Sequence, residues 1–130
     1  VKDYLGKMDF TLLTSISEGQ PLTILESYAA HKPVIATDVG NCQELIYGND
    51  DGFGPAGILT HIMNIEEIAQ AMITMSEDQE ERERMGEAGY KRVNAFYRIE
   101  QMKDVYRGIY RELSDRQKLD WTEEPFQIRR

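Results

Sequence analysis

Three short apolar runs, each leading into a helix-start signal, constrain this chain more than any other feature. Phe10-Thr11-Leu12-Leu13-Thr14, Pro33-Val34-Ile35-Ala36-Thr37 and Gly57-Ile58-Leu59-Thr60 are aliphatic and β-branched. None shows strict polar alternation, the pattern of strands buried on both faces of a parallel sheet. Strand followed by helix three times predicts parallel pairing with right-handed crossovers, and so an α/β fold. A chain of 130 residues is long enough to bury a core as one domain without staples. Its single cysteine, Cys42, excludes an internal disulfide and a cysteine-based zinc site.

The second half reads as helix throughout. Asn64 with Glu67 three positions on forms a capping box, and Ile65, Ile68, Ala69, Met72 and Ile73 predict one stripe laid on the sheet. Ser76 with Gln79 predicts a second capping box, opening a charged helix that runs to Phe96. Its apolar side includes Gly86, Ala88 and Gly89 beside Met85 and Val93. Interior glycines cost a helix about 1 kcal/mol each, so close packing is the expected compensation. A last helix carries Ile99, Met102, Val105, Tyr106, Ile109, Tyr110 and Leu113, and its Met102, Tyr106 and Tyr110 are expected in a core. Trp121 to Phe126 has no periodicity, so residues 119–130 are assigned to a tail and residues 1–118 to the domain. The sheet resembles the latter half of a larger doubly wound, Rossmann-like one. With Val1 in first place instead of Met, a fragment of a longer chain is expected.

The segment that carries chemistry is Thr14 to Glu26. A strand ends near Thr14, a polar loop containing Gly19 follows, and Pro21 stands at a helix start. Unpaired N–H groups at the carboxyl edge of a strand make a natural seat for phosphate. On a helical wheel Leu25, Tyr28 and Ala29 share the apolar side and Glu26 falls about 40° from Leu22, which places Glu26 at the border of the core. A carboxylate there can accept two hydrogen bonds from a vicinal diol, and Glu18, at the rim, can orient a second hydroxylated group. The alternative is that Glu18 is a solvated loop acid favoured by the helix dipole and Glu26 an ordinary surface residue. Spacing alone leaves both readings open.

The run from Ser17 to Gly40, with seven residues between Glu18 and Glu26, a small-residue helix, Lys32-Pro33 before a strand and a glycine turn, closely resembles the signature of family 4 retaining glycosyltransferases with the GT-B fold. The likeness continues through Glu44-Leu45-Ile46, Met85-Gly86, Gly89, Arg92-Val93 and Phe96. Gln20-Pro21-Leu22 and Val39 to Glu44 most resemble the Pel-type exopolysaccharide enzymes. The resemblance implies the carboxy-terminal, donor-binding part of such an enzyme. A UDP-sugar such as UDP-glucose would be the donor, a glycan or other hydroxyl compound the acceptor, and no metal or other cofactor would be needed. It implies ribose binding by Glu26, diphosphate facing the amides of Gln20, Leu22 and Thr23 beside Gly19, and a donor-sugar contact by Glu18, the catalytic candidate. Gln20-Pro21 replaces the family's usual Phe-Gly. Positive charge must stabilise the departing diphosphate; in the family an Arg and a Lys upstream of the matched segment do this. The acceptor-binding amino-terminal domain would also lie outside these residues, so the fragment alone is expected to be inactive.

Other signals point elsewhere. Gly40 and Glu44 either line the cleft or serve as a turn residue and a first-turn acid. Gly52-Phe53-Gly54-Pro55-Ala56-Gly57 matches a dinucleotide fingerprint, but it follows an acidic loop and precedes a strand, so it reads as a turn. Asn49-Asp50-Asp51 reads as a solvated loop. His31 reads as a helix-ending residue, and with His61 far away neither is expected to hold metal. Cys42, near a helix start, reads as a small packing residue whose thiol the helix could acidify. Basic residues from Lys91 to Lys118 could meet an anionic membrane surface, although the acids among them favour a solvated face. The net charge of −8 argues against nucleic acid. With no long apolar segment or leader in view, a cytoplasmic protein is expected. The rival class is a non-catalytic interaction or receiver-like signalling domain with Asp38 as phosphoacceptor. It lacks the earlier acidic pair that would hold magnesium. A scaffold with a vestigial glutamate pair is the third reading.

Overall fold

The computed structural model describes the backbone of residues 2–120 and the side chains of residues 3–116; the aromatic tail from Trp121 onward lies outside them. Two compact units divide after Tyr97. The first begins with a short helix α1 (Lys2–Leu5) and then alternates strand and helix. Its elements are β1 (Thr11–Leu13), α2 (Leu22–Ala29), β2 (Val34–Thr37), α3 (Cys42–Tyr47), β3 (Gly57–Thr60), α4 (Ile65–Glu77) and α5 (Gln79–Phe96). The strands form one parallel sheet in the order β1-β2-β3, with Leu12 opposite Ile35 and Ile35 opposite Ile58. The α/β class expected from the alternating runs is therefore the one observed.

The central strand is buried along its whole length, so both faces of the sheet carry core. Val34 and Ala36 pack with Ile24 and Tyr28 of α2, Cys42, Leu45 and Ile46 of α3 and Ala88 of α5. On the opposite face Ile35 packs with Ala71 and Met75 of α4 and Met85 of α5, flanked by Phe10 and Ile58. The edge strand β1 is only half covered, its middle residue Leu12 being exposed.

Close approach explains the glycines of α5. A Cβ at Gly89 would fall on the Tyr28 ring, and one at Gly86 would fall on the carbonyl oxygen of His31. That oxygen belongs to a tight helix end. His31, with φ of 57°, donates its N–H to the Tyr28 carbonyl, while Lys32 N–H reaches back to Ser27. This is a Schellman motif with histidine in the left-handed position usually held by glycine. His31 thus ends α2 as expected.

Two helix faces and one helix cap differ from the sequence readings. In α2 the buried residues are Ile24, Ser27 and Tyr28, whereas Leu22 is 69% exposed. Ser27 can be buried because its hydroxyl pairs with Thr11 at 2.9 Å and donates to the Thr23 carbonyl. In α4 Ala71 and Met75 are buried and Ile68 half-buried, while Ile65, Met72 and Ile73 are exposed. The small Ala71 lets that helix approach Ile35 and Ile58. Asn64 caps α4, accepting from Glu67 N–H. The cap of α5 is Asp78, which accepts from Glu81 N–H; Ser76 stays inside α4 and donates to the Met72 carbonyl.

The second unit contains α6 (Ile99–Asp120). Its apolar positions from Ile99 to Leu113, including Met102, Tyr106 and Tyr110, are exposed, so the core packing expected of these three is not found among the described residues. Among the described residues no helix is long and apolar enough to cross a membrane.

Candidate functional site

β1 ends at Leu13, and the next eight residues form a loop at the carboxyl edge of the sheet before α2 begins at Leu22. Pro21 is the residue just before the helix, with extended dihedrals and no side-chain cap. Proline suits this position because it has no N–H to leave unpaired. The N–H groups of Leu22 and Thr23 precede the intrahelical ladder and point toward the loop, as the first amides of any helix do.

The loop is knitted to the turn after β2. The Thr37 hydroxyl, at the end of β2, donates to the Ser15 carbonyl at 2.5 Å, and the Ser15 hydroxyl donates to Glu18 Oε1 at 2.6 Å. Asn41 N–H donates to the Gly19 carbonyl at 2.9 Å. Gly40 turns with φ of 52°, and a Cβ there would fall on the Glu18 carbonyl oxygen and lie 2.7 Å from that of Gly19. Glu18, Gly19 and Gly40 are thereby brought together as two backbones in contact, with the Glu18 side chain half-buried.

Glu26 lies elsewhere than its wheel position implied. It is exposed, and among the described residues its carboxylate has no hydrogen-bond or ionic partner. The angular relation to Leu22 holds, but Leu22 itself is on the outer side, so both face away from the core. Thr23 and Gln20 are also exposed. Glu44, in the first turn of α3, accepts from the Tyr97 hydroxyl at 3.3 Å and lines a cavity of about 310 Å³ with Asn49, Asp51, Arg92 and Phe96. It is not among the residues knitted around Glu18.

Sequence reasoning missed the group at the floor of that cavity. Arg92 is 1% exposed, and its guanidinium donates to both oxygens of Asp51, at 2.6 and 3.0 Å, and to the carbonyls of Leu45, Ile46 and Gly54. Asp51 is therefore a buried partner, not a solvated loop acid. The Arg92 hydrogen bonds hold its carboxyl below the usual range, against the opposing effect of burial, and the Phe53 N–H adds to the lowering. One signal was available: Arg92 follows Met85 and Gly89 at helical spacing on the small-residue face of α5. An arginine on such a face needs acceptors, and the last turn of α3 supplies two carbonyls.

The remaining titratable candidates are structural. Burial pushes the Cys42 thiol up, so the helix start does not acidify it. The Tyr28 hydroxyl is buried with no hydrogen-bond partner among the described residues, and burial raises it as well. The His61 ring pairs with Glu67 at 2.9 Å, and Glu67 also accepts from the His61 N–H. Among the described residues no cluster of histidine, cysteine and acids could hold a metal ion. Asp38, exposed at the end of β2, borders a second cavity with Thr60, His61 and Glu67.

Comparison with known proteins gives concordant results. Residues 1–92 match the family described as glycosyl transferases group 1. An uncharacterized glycosyltransferase of Methanocaldococcus jannaschii is 31% identical over 115 residues, covering 88% of this chain and 31% of that protein. The N-acetyl-alpha-D-glucosaminyl L-malate synthase of Bacillus anthracis is 31% identical over 110 residues, covering 85% of this chain and 28% of its own length. Among solved structures, sucrose-phosphate synthase from Thermosynechococcus elongatus superposes with a TM-score of 0.71 at 25% identity, over 84% of this chain and 27% of that one. The chain thus spans less than a third of the length of each of these three proteins.

Proposed function

Because this chain belongs to the group 1 glycosyl transferases, we propose that its first unit holds the nucleotide-sugar donor, a UDP-sugar such as UDP-glucose, at the carboxyl edge of β1. Glu26 accepts hydrogen bonds from the ribose hydroxyls. The amides of Gln20, Leu22 and Thr23 face the diphosphate beside Gly19, and Glu18 meets the donor sugar. One observation carries this reading: an exposed carboxylate, without a partner among the described residues, stands on the first turns of α2, whose leading amides adjoin a loop that holds a second, half-buried carboxylate. Anions favour helix starts because unpaired N–H groups and the partial positive charge lie there. A vicinal diol suits an ionised carboxylate, which accepts and cannot donate.

In the proposed reaction the bond from the anomeric carbon to the diphosphate breaks and one to an acceptor hydroxyl oxygen forms on the same face, with the hydroxyl proton leaving to the diphosphate side. The diphosphate carries off the electron pair of the broken bond. Stabilising its charge needs cations, and among the described residues no ion pair brings one to Glu18, so in this scheme an amino-terminal domain supplies them and binds the acceptor, a glycan or other hydroxyl compound. Gly40 lines the cleft behind Glu18. Glu44, set apart with Tyr97, has no donor role in this scheme. The relative named as an N-acetyl-alpha-D-glucosaminyl L-malate synthase supports a sugar donor and leaves the acceptor class to the other domain.

The test is a two-dimensional NMR titration of the 130-residue chain with UDP, UDP-glucose and GDP-mannose. Saturable shifts confined to residues 17–27 with the uridine compounds, abolished by Glu26→Ala, are expected. A well-folded chain with no response at millimolar UDP-glucose would instead favour a scaffold.

A further inference from the structure

Among the proposed donor contacts, Glu18 is the one whose side chain has a hydrogen-bond partner among the described residues. Its Oε1 accepts from the Ser15 hydroxyl at 2.6 Å. The Ser15 carbonyl is held in turn by Thr37, which is 2% exposed and the last residue of the central strand. From the other side the loop backbone rests on Gly40, where no side chain could fit, and Gly19 is tied by Asn41 N–H. Glu26, by contrast, has no such support.

We propose that Ser15 and Thr37 are positioning residues that aim the Glu18 carboxylate at the donor's glycosyl ring, with Gly40 as the surface against which the loop is set. A carboxylate on a free loop loses side-chain entropy on meeting a ligand, whereas one already hydrogen-bonded in place loses less. One Glu18 oxygen is occupied by Ser15, which turns the other toward the ligand as a directional acceptor. The buried Thr37 hydroxyl transmits the rigidity of β2, the most enclosed strand, to a loop that leaves the edge strand β1. The chain therefore distinguishes a nucleotide sugar from the bare nucleotide through residues that touch neither.

This inference rests on the donor-site reading above, and a single set of titrations separates the two. The 130-residue chain and its variants are titrated with UDP and with UDP-glucose, and folding is followed in the same spectra. Ser15→Ala and Thr37→Val should each weaken UDP-glucose several-fold while leaving UDP within about twofold. Ser15→Thr and Thr37→Ser, which keep the hydroxyls, should restore the preference. Ser15→Ala should add nothing in a Glu18→Ala background, since neighbours acting through one group are non-additive. Equal weakening of UDP and UDP-glucose, or an unchanged preference in folded Ser15→Ala, would overturn the positioning role while leaving the donor site standing. Failure of the unmodified chain to bind either compound would overturn both.

Discussion

At the scale of single residues, Gly40 and Glu26 show how differently two positions in one site depend on the fold. Gly40 combines a left-handed φ of 52° with a Cβ direction blocked by main-chain oxygens that cannot swing aside. Alanine there costs about 1–2 kcal/mol for the backbone conformation alone, and the Glu18 loop must also shift. Gly40→Ala is expected to lower the urea midpoint and to abolish UDP-glucose binding even where the chain remains folded. Retained binding would show that the loop position is immaterial. Glu26 is exposed and has no hydrogen-bond or ionic partner among the described residues, so Glu26→Ala should change stability by no more than about 0.5 kcal/mol while removing the nucleotide response. The types of both residues were legible in the sequence. Their surroundings were not, because the buried side of α2 includes Ser27, which pairs with Thr11 of β1, a contact no helical wheel contains.

Between elements, α5 packs closely on α2 and its C-terminal turn, and the contact runs through two glycines. Gly89→Ala drives a methyl into the buried Tyr28 ring, and Gly86→Ala drives one into a main-chain carbonyl. Overpacking of this kind costs about 1–3 kcal/mol, more than the helix propensity gained. Gly108, in the middle of α6, has nothing within 4 Å of its would-be Cβ. Gly108→Ala should instead raise helicity, by about 1 kcal/mol of propensity. Urea unfolding and far-ultraviolet circular dichroism of the three variants check the contrast, and equal effects at all three positions would contradict the packing account. The small-residue side of α5 was visible as a pattern, and so were the strands. The stripe of α4 was misplaced because that helix carries apolar residues on two sides, and the sheet selected the side holding Ala71 over the one with Ile65 and Ile73. Ser76 failed as a cap for a related reason: α4 continues past it, and Asp78 stands where the chain turns.

Across the whole first unit, Arg92 joins α5, the end of α3 and the loop before β3 through one buried guanidinium. Removing one partner of a buried pair leaves an uncompensated charge, so Arg92→Met is expected to cost about 3–5 kcal/mol. The Asp51 carboxyl is held below its ordinary value of 3.8, so the native state binds fewer protons there than the unfolded chain. Its contribution is complete above that ordinary value and is lost as pH falls through the depressed one. The stability difference between the unmodified chain and Asp51→Asn should accordingly be constant near neutrality and shrink below about pH 4. A difference that is the same at pH 7 and pH 3 would exclude the pair as its source. The sequence by itself determined the strand order of events along the chain, the parallel sheet and the acidic pair Glu18 and Glu26, because apolar periodicity and turn chemistry are local. Only the tertiary structure decided that Asp51 is buried with Arg92, that Glu26 faces outward, and that Ser15, Thr37 and Gly40 hold Glu18. Apart from the short-range bond of Ser15 to Glu18, each of those depends on how residues far apart in the chain pack together, which no local pattern records.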